Sequence, residues 1–342
     1  MYDSILNFGM IGPILLIVVG LAILIASGES LVRGATRLAT AMKIPPLIIG
    51  LTVVAFGTGS PEVAISLSAT LKGNDEIAIG NIVGSNICNV CLILGLVALL
   101  RPIAVSSSLI RREIPLMIGV SVLLFVFALL HVTTPLAGRL VPWQGTIFIA
   151  LLLGYVAWLI YEVLAHRLQN EEYVKGVEEN ATFKRGILFG VVLMGVGFGF
   201  LILGSEILVQ GAVRVAQNLG VSELVIGLTI IAVGTSMPEL VVSGLAALNG
   251  NSDLAVGNII GTNIFNILGV LGLSTSFSFM TPPLGVAVSS QSLWLDMSVM
   301  ILTAILCSVI CITGHRVTRG EGVFLLLCYA AYLSVLCFLQ MN

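Results

Sequence analysis

The sequence predicts an all-helical membrane protein with ten transmembrane helices in two inverted five-helix repeats. Three observations carry this. Only 9% of the 342 residues are charged and 58% are hydrophobic, whereas a soluble domain carries about 25% charged residues. The mean hydropathy is +1.12, and the apolar runs reach the roughly 20 residues that cross a bilayer. The chain also aligns with itself, without a gap, at an offset of 177 residues (239 − 62).

Apolar windows and their Gly and Pro breakers mark spans near 10–40, 45–71, 77–99, 112–131, 142–165, 185–217, 222–249, 253–276, 291–313 and 321–340. The first and sixth are long for a simple crossing, so tilt is expected. A polar stretch with Glu171, Glu172, Lys175, Glu178 and Glu179 divides the chain. The domains are therefore a first repeat at 1–165, a cytoplasmic linker at 166–184 and a second, inverted repeat at 185–342.

Ten spans put 12 of the 15 Lys and Arg residues on one side, including Arg33, Arg37, Arg101, Arg111, Arg112 and Arg319; only Lys72, Arg139 and Arg214 fall on the other. The basic side is expected to be cytoplasmic, which places both termini outside an inner or plasma membrane. The first charge is Asp3, so the start reads as a retained helix rather than a signal peptide. No basic block or aromatic-basic stripe suggests nucleic acid. Cys88 and Cys91 form a CxxC inside an apolar run; with no second CxxC and no nearby His, they read as small buried residues.

The repeat is dense. LxIGLTxxAxGTxxPE at Leu47–Glu62 recurs at Leu224–Glu239, and the Gly73–Asn89 segment recurs at Gly250–Asn266. From Ile44 to Leu96, 26 of 53 positions equal their partners. Five spans per copy is an odd number, so the second copy is expected upside down relative to the first. Inverted repeats are the ground plan of many secondary transporters, with the substrate site at the midplane.

Glu62 and Glu239 lie deep in apolar segments, where a carboxylate is costly and usually binds something. No Lys or Arg lies mid-span to pair with them, so a cation from outside is the expected partner. Pro61 and Pro238, with Gly57, Gly59 and Gly234, should break the helix beside each Glu. Broken helix in a membrane lines cavities and would free carbonyls near Ala55–Thr58 and Ala232–Thr235. Thr58, Ser60, Thr235 and Ser236 add hydroxyls. Asn81, Asn86 and Asn89, with Asn258, Asn263 and Asn266, are many amides for apolar helices. Each is open to two readings, ion ligand or helix-to-helix hydrogen bond, with Asn89 and Asn266 the preferred ligands. Glycines 80, 84, 257 and 261 read as close-packing positions. An all-oxygen inventory suits calcium, sodium or potassium and disfavours zinc or copper. With both Glu ionised the empty site would carry two negative charges, costly in an interior. One Ca²⁺, two Na⁺ or two protons would neutralise it, which gives obligatory exchange a physical cause.

At these motifs the chain resembles the calcium/cation antiporter superfamily, and within it the bacterial sodium/calcium antiporters. The resemblance implies ten helices, with the second, third, seventh and eighth around the ions and the long first and sixth sliding to alternate access. It implies Na⁺-driven Ca²⁺ movement, usually extrusion; no cofactor is expected, and one chain in the lipid bilayer could serve as the transport unit. By motif position it puts the central carboxylates on Glu62 and Glu239, carbonyl ligands on Ala55 and Ala232, and hydroxyl ligands on Thr58, Thr235, Ser236, Ser85 and Thr262. Asn89 and Asn266 complete the set. The counterpart of Ser236 is Gly59, with Ser60 as its substitute. Some members carry an Asp where Asn89 or Asn266 stands, so H⁺ and K⁺ remain alternative coupling ions.

Other functions fit less well. Gly234-Thr235-Ser236 resembles a serine nucleophile motif, but His131, His166 and His315 fall at span ends or in the linker, so no base accompanies it. A passive channel is disfavoured because two carboxylates in a deep cage favour tight binding over fast release.

Overall fold

The structure, a computed structural model, describes residues 10–42, 44–132, 137–168, 181–220, 232–280 and 284–341. The sequence reading of 222–231 and most of the linker lies outside them. Twelve helical segments are described: α1 Ile11–Met42, α2 Pro46–Thr58, α3 Ser60–Leu71, α4 Asp75–Leu100, α5 Leu109–Leu129, α6 Pro142–Leu168, α7 Ala181–Asn218, α8 Ala232–Thr235, α9 Met237–Leu248, α10 Ser252–Met280, α11 Ser292–Ile312 and α12 Arg319–Met341. Among the described residues eight are long and apolar enough to span a membrane, or nine if the bent pair α2–α3 is one span. α9 is a shorter apolar helix. Apolar backbone in lipid must satisfy its own hydrogen bonds, which selects helices.

Burial sorts the helices into core and shell. The hydrophobic window of α10 is 100% buried and that of α4 78%, against 22% for α7 and for α12. α4 and α10 thus form the centre, and the others present Leu153, Tyr161, Leu188 and Leu327 outward, as lipid contact requires.

α1 and α7 have 32 and 38 residues, or about 48 and 57 Å at 1.5 Å per residue. Both exceed a hydrocarbon core of about 30 Å. They pack antiparallel through glycines, Pro13 meeting Gly211, Gly20 meeting Leu208, Leu31 meeting Gly197 and Gly34 meeting Gly190. A Cβ on Gly20 would sit 2.6 Å from the Leu208 backbone nitrogen. Gly20→Ala is therefore expected to destabilise by about 1–3 kcal/mol through overpacking, seen as earlier thermal unfolding in detergent. Gly119→Ala, where a Cβ meets nothing within 4 Å, should be neutral or slightly stabilising.

Two minimal sheets depart from the all-helical expectation. β1 (Ile103–Ala104) pairs antiparallel with β4 (Arg316–Val317), and β2 (Gly138–Leu140) with β3 (Val286–Val288). Such short strands carry no periodicity that a sequence could display. α5 leads from β1 to β2, and α11 leads from β3 back to β4, so these two helices run between the same two sheets in opposite directions. Gly73 and Gly250, at φ +74° and +85°, make the tight turns before α4 and α10, in the left-handed region that glycine enters without penalty.

Candidate functional site

Each candidate carboxylate sits in the first turn of a half-helix that follows a break. α2 and α3 meet at 46°, where Gly59 adopts φ −78°, ψ 5°. Its counterpart Ser236, between α8 and α9, adopts φ −89°, ψ 9°. Pro61 and Pro238 cause the breaks, because neither can donate to the carbonyl four residues back. Those carbonyls belong to Gly57 and Gly234. Serine hydroxyls take the missing bonds: Ser60 Oγ donates to Gly57 O at 2.7 Å, and Ser205 Oγ, from α7, donates to Gly234 O at 2.7 Å.

The Ser60 hydroxyl gives its hydrogen to its own break, which leaves its lone pairs as what it could offer a cation. One expectation is corrected: the Ala55 carbonyl is not freed, since it accepts the Gly59 N–H at 3.0 Å, although a carbonyl has a second lone pair to offer. Ala232 opens α8.

Glu62 and Glu239 are each 1% exposed. Neither is held by a Lys or Arg among the described residues, whose ion pairs Arg33–Glu29 and Arg112–Glu162 lie elsewhere. Glu62 Oε2 and both Glu239 carboxylate oxygens have no hydrogen-bond partner. Ser85 and Thr235 lie beside Glu62, and Thr58 beside Glu239. Each Glu therefore faces the threonine of the opposite repeat. The half-helix N-termini add positive dipole ends near both carboxylates.

Polar atoms on the packed helices are also orphaned. Ser85 Oγ, Thr262 Oγ1, Ser236 Oγ, Asn89 Oδ1 and Asn266 Oδ1 are buried without partners. The Glu62 helix packs on the Asn266 turn and the Glu239 helix on the Asn89 turn, and because buried polar groups are nearly always satisfied, unmet oxygens on these elements are open to a cation. All of these atoms are oxygens. Among the described residues no three His, Cys, Asp or Glu gather as a metal cluster, so a cation here would rest on the two carboxylates and neutral oxygens.

The six asparagines divide by role. Asn81 Nδ2 donates to Ser66 Oγ at 2.9 Å, and Asn258 Nδ2 to Ser243 Oγ at 3.0 Å, stapling α3 to α4 and α9 to α10. Thr58 Oγ1 also donates to Asn258 Oδ1, at 3.2 Å. Asn86 Nδ2 donates to the Asn263 backbone carbonyl at 3.2 Å, and Asn263 Nδ2 to that of Asn86 at 3.3 Å. Asn89 Nδ2 donates to Asn263 Oδ1 at 2.9 Å, and Asn266 Nδ2 to Asn86 Oδ1 at 3.0 Å. Asn86 and Asn263 thus make helix-to-helix bonds, and Asn89 and Asn266 keep an oxygen free.

Sequence reasoning missed the local backbone at these residues. Asn89 and Asn266 each open a π-helical turn, Asn89–Ile93 and Asn266–Leu271. Such turns cluster at functional sites. It missed Ser205 as well, because its role depends on α7 packing against α8.

Helices long and apolar enough to span a membrane, with one bent pair and a second helix break each set beside a buried carboxylate, define a multi-pass membrane protein. The chain belongs to the sodium/calcium exchanger family, whose model matches residues 12–161 and again 189–338. The two matches are offset by 177 residues (189 − 12), the period of the internal repeat. The inner membrane protein YrbG of Escherichia coli is 38% identical over 330 residues, covering 95% of this chain and 97% of that protein. The sodium/calcium exchanger MaX1 of Methanosarcina acetivorans is 32% identical, covering 95% and 98%. Among solved structures, the sodium-calcium exchanger NCX_Mj superposes with a TM-score of 0.77 at 28% identity, covering 95% of this chain and 99% of that one.

Proposed function

We propose that this protein is a secondary antiporter exchanging Ca²⁺ for Na⁺ by alternating access at a site centred on Glu62 and Glu239. Family membership supports the class of cargo. The observation that carries the site is the pair of buried carboxylates with unpartnered oxygens and no Lys or Arg beside them among the described residues. The ligands are these carboxylates, the hydroxyls of Thr58, Thr235, Ser236, Ser85 and Thr262, the amide oxygens of Asn89 and Asn266, and the carbonyls of Ala55 and Ala232. Ca²⁺ takes six to eight oxygens at about 2.3–2.6 Å, a number this set can supply.

The architecture of the proposal is ten spans in two inverted repeats, 1–165 and 185–342, joined by a cytoplasmic linker. The seventh span would comprise 222–231, α8 and α9. The opposed directions of α5 and α11 support inversion, as do the reciprocal bonds of Asn86 and Asn263. Both termini would lie outside an inner or plasma membrane. One chain would serve as the transport unit, with α1 and α7 moving as a single glycine-zipped body. An empty site with two negative charges resists reorientation, so each side change would carry Ca²⁺ or Na⁺.

Calcium uptake into sodium-loaded proteoliposomes tests this. Uptake should require the outward sodium gradient and survive a protonophore. Uptake indifferent to sodium and driven by a pH gradient would move the protein to proton coupling.

A further inference from the structure

We infer that Asn86 and Asn263 fix which end of the Asn89 and Asn266 amides faces the transported cation, each acting on its neighbour from the opposite repeat. The inference rests on the ligand set proposed above and adds two positioning residues to it.

The polarity follows from atoms that cannot be exchanged. A backbone carbonyl only accepts. The side-chain atom of Asn263 at 3.3 Å from the Asn86 carbonyl must therefore be Nδ2, and the atom of Asn86 at 3.2 Å from the Asn263 carbonyl must be Nδ2 as well. The second hydrogen of each amide has a partner too. Asn263 Nδ2 lies 3.5 Å from Met117 Sδ, and Asn86 Nδ2 lies 3.6 Å from Met300 Sδ. Turning either amide over would press its oxygen against a carbonyl oxygen and lose both bonds.

With those amides fixed, Oδ1 of Asn263 and Oδ1 of Asn86 present only acceptors to Asn89 and Asn266. These must answer with Nδ2, at 2.9 and 3.0 Å. Their own Oδ1 atoms are left buried and unpartnered, on the opposite end of each amide. An amide can meet a cation with its oxygen or with N–H groups, which attract and repel it respectively. The chain carbonyl → Asn263 → Asn89 → cation, with its mirror through Asn86 and Asn266, removes the repulsive choice. It is anchored where α4 and α10 cross. The orientation of a ligand in one repeat therefore depends on the backbone of the other.

A double-mutant cycle tests this in proteoliposomes, reading half-saturating Ca²⁺ and maximal rate. Asn263→Leu should raise half-saturating Ca²⁺ about tenfold or more, with a smaller change in maximal rate, because Asn89 is then free to turn over. In an Asn89→Asp background the same substitution should shift it less than about threefold, because the two carboxylate oxygens are equivalent and turning over changes nothing. Equal shifts in both backgrounds would mean that Asn263 only packs α4 against α10 and would overturn the inference. Asn89→Ala separates the two levels: an unchanged half-saturating Ca²⁺ there would remove Asn89 from the ligand set and leave nothing to position. Thermal unfolding screens every variant. If Asn263→Leu does not fold, Asn263→Ala and the mirrored cycle of Asn86→Ala with Asn266→Asp give the same readout.

Discussion

Glu62→Gln and Glu239→Gln each abolish sodium-driven calcium uptake while the protein still folds and inserts. Gln keeps the shape of the side chain and removes one of the two charges in the centre. It also offers N–H groups where a cation needs oxygen. Leaving a buried charge without its partner costs about 3–5 kcal/mol, or roughly two to three and a half orders of magnitude in affinity. Stability should move the other way. The carboxylates are buried with unmet oxygens, so removing one relieves a buried, unpaired charge in the empty protein. Each variant should therefore unfold at a higher temperature than the parent without ions, and lose the stabilisation that bound Ca²⁺ gives the parent. Near-normal exchange in either variant would remove the proposed centre.

Asn266→Asp adds a third carboxylate. Asn266 is fully buried, and its free oxygen belongs to the orphaned cluster. A neutral ligand would become a charged one, so the empty site would need a further monovalent cation before it could reorient. Calcium uptake by the variant should depend more steeply on sodium, or on pH, than the parent's does. Cation dependence identical to the parent's would place Asn266 outside the ligand shell. Asn86 Oδ1 loses its donor in the same change, so thermal unfolding should be read beside the flux.

Much of this was legible in the sequence, for reasons that differ from residue to residue. The spans were visible because a bilayer demands continuous apolar runs; α1, α4, α5, α10, α11 and α12 begin and end within a few residues of the windows read from composition. Glu62 and Glu239 stood out because a carboxylate in such a run needs a reason to be there. The breaks were visible because proline removes a donor whatever surrounds it. Hidden were features set by contacts between distant segments. Which serine would satisfy Gly234 depended on α7 lying against α8. Whether an asparagine would bind an ion or a helix depended on which backbone carbonyl it met across the α4–α10 crossing. Asn86 and Asn89 share a face three residues apart, and nothing local tells them apart.

Locating the ion is the most direct test. Crystals of the protein grown with Sr²⁺ in place of Ca²⁺ should show an anomalous peak between the Glu62 and Glu239 carboxylates, within bonding distance of Asn89 Oδ1 or Asn266 Oδ1. A peak elsewhere in the molecule, or a centre that stays empty at saturating Sr²⁺, would contradict the site.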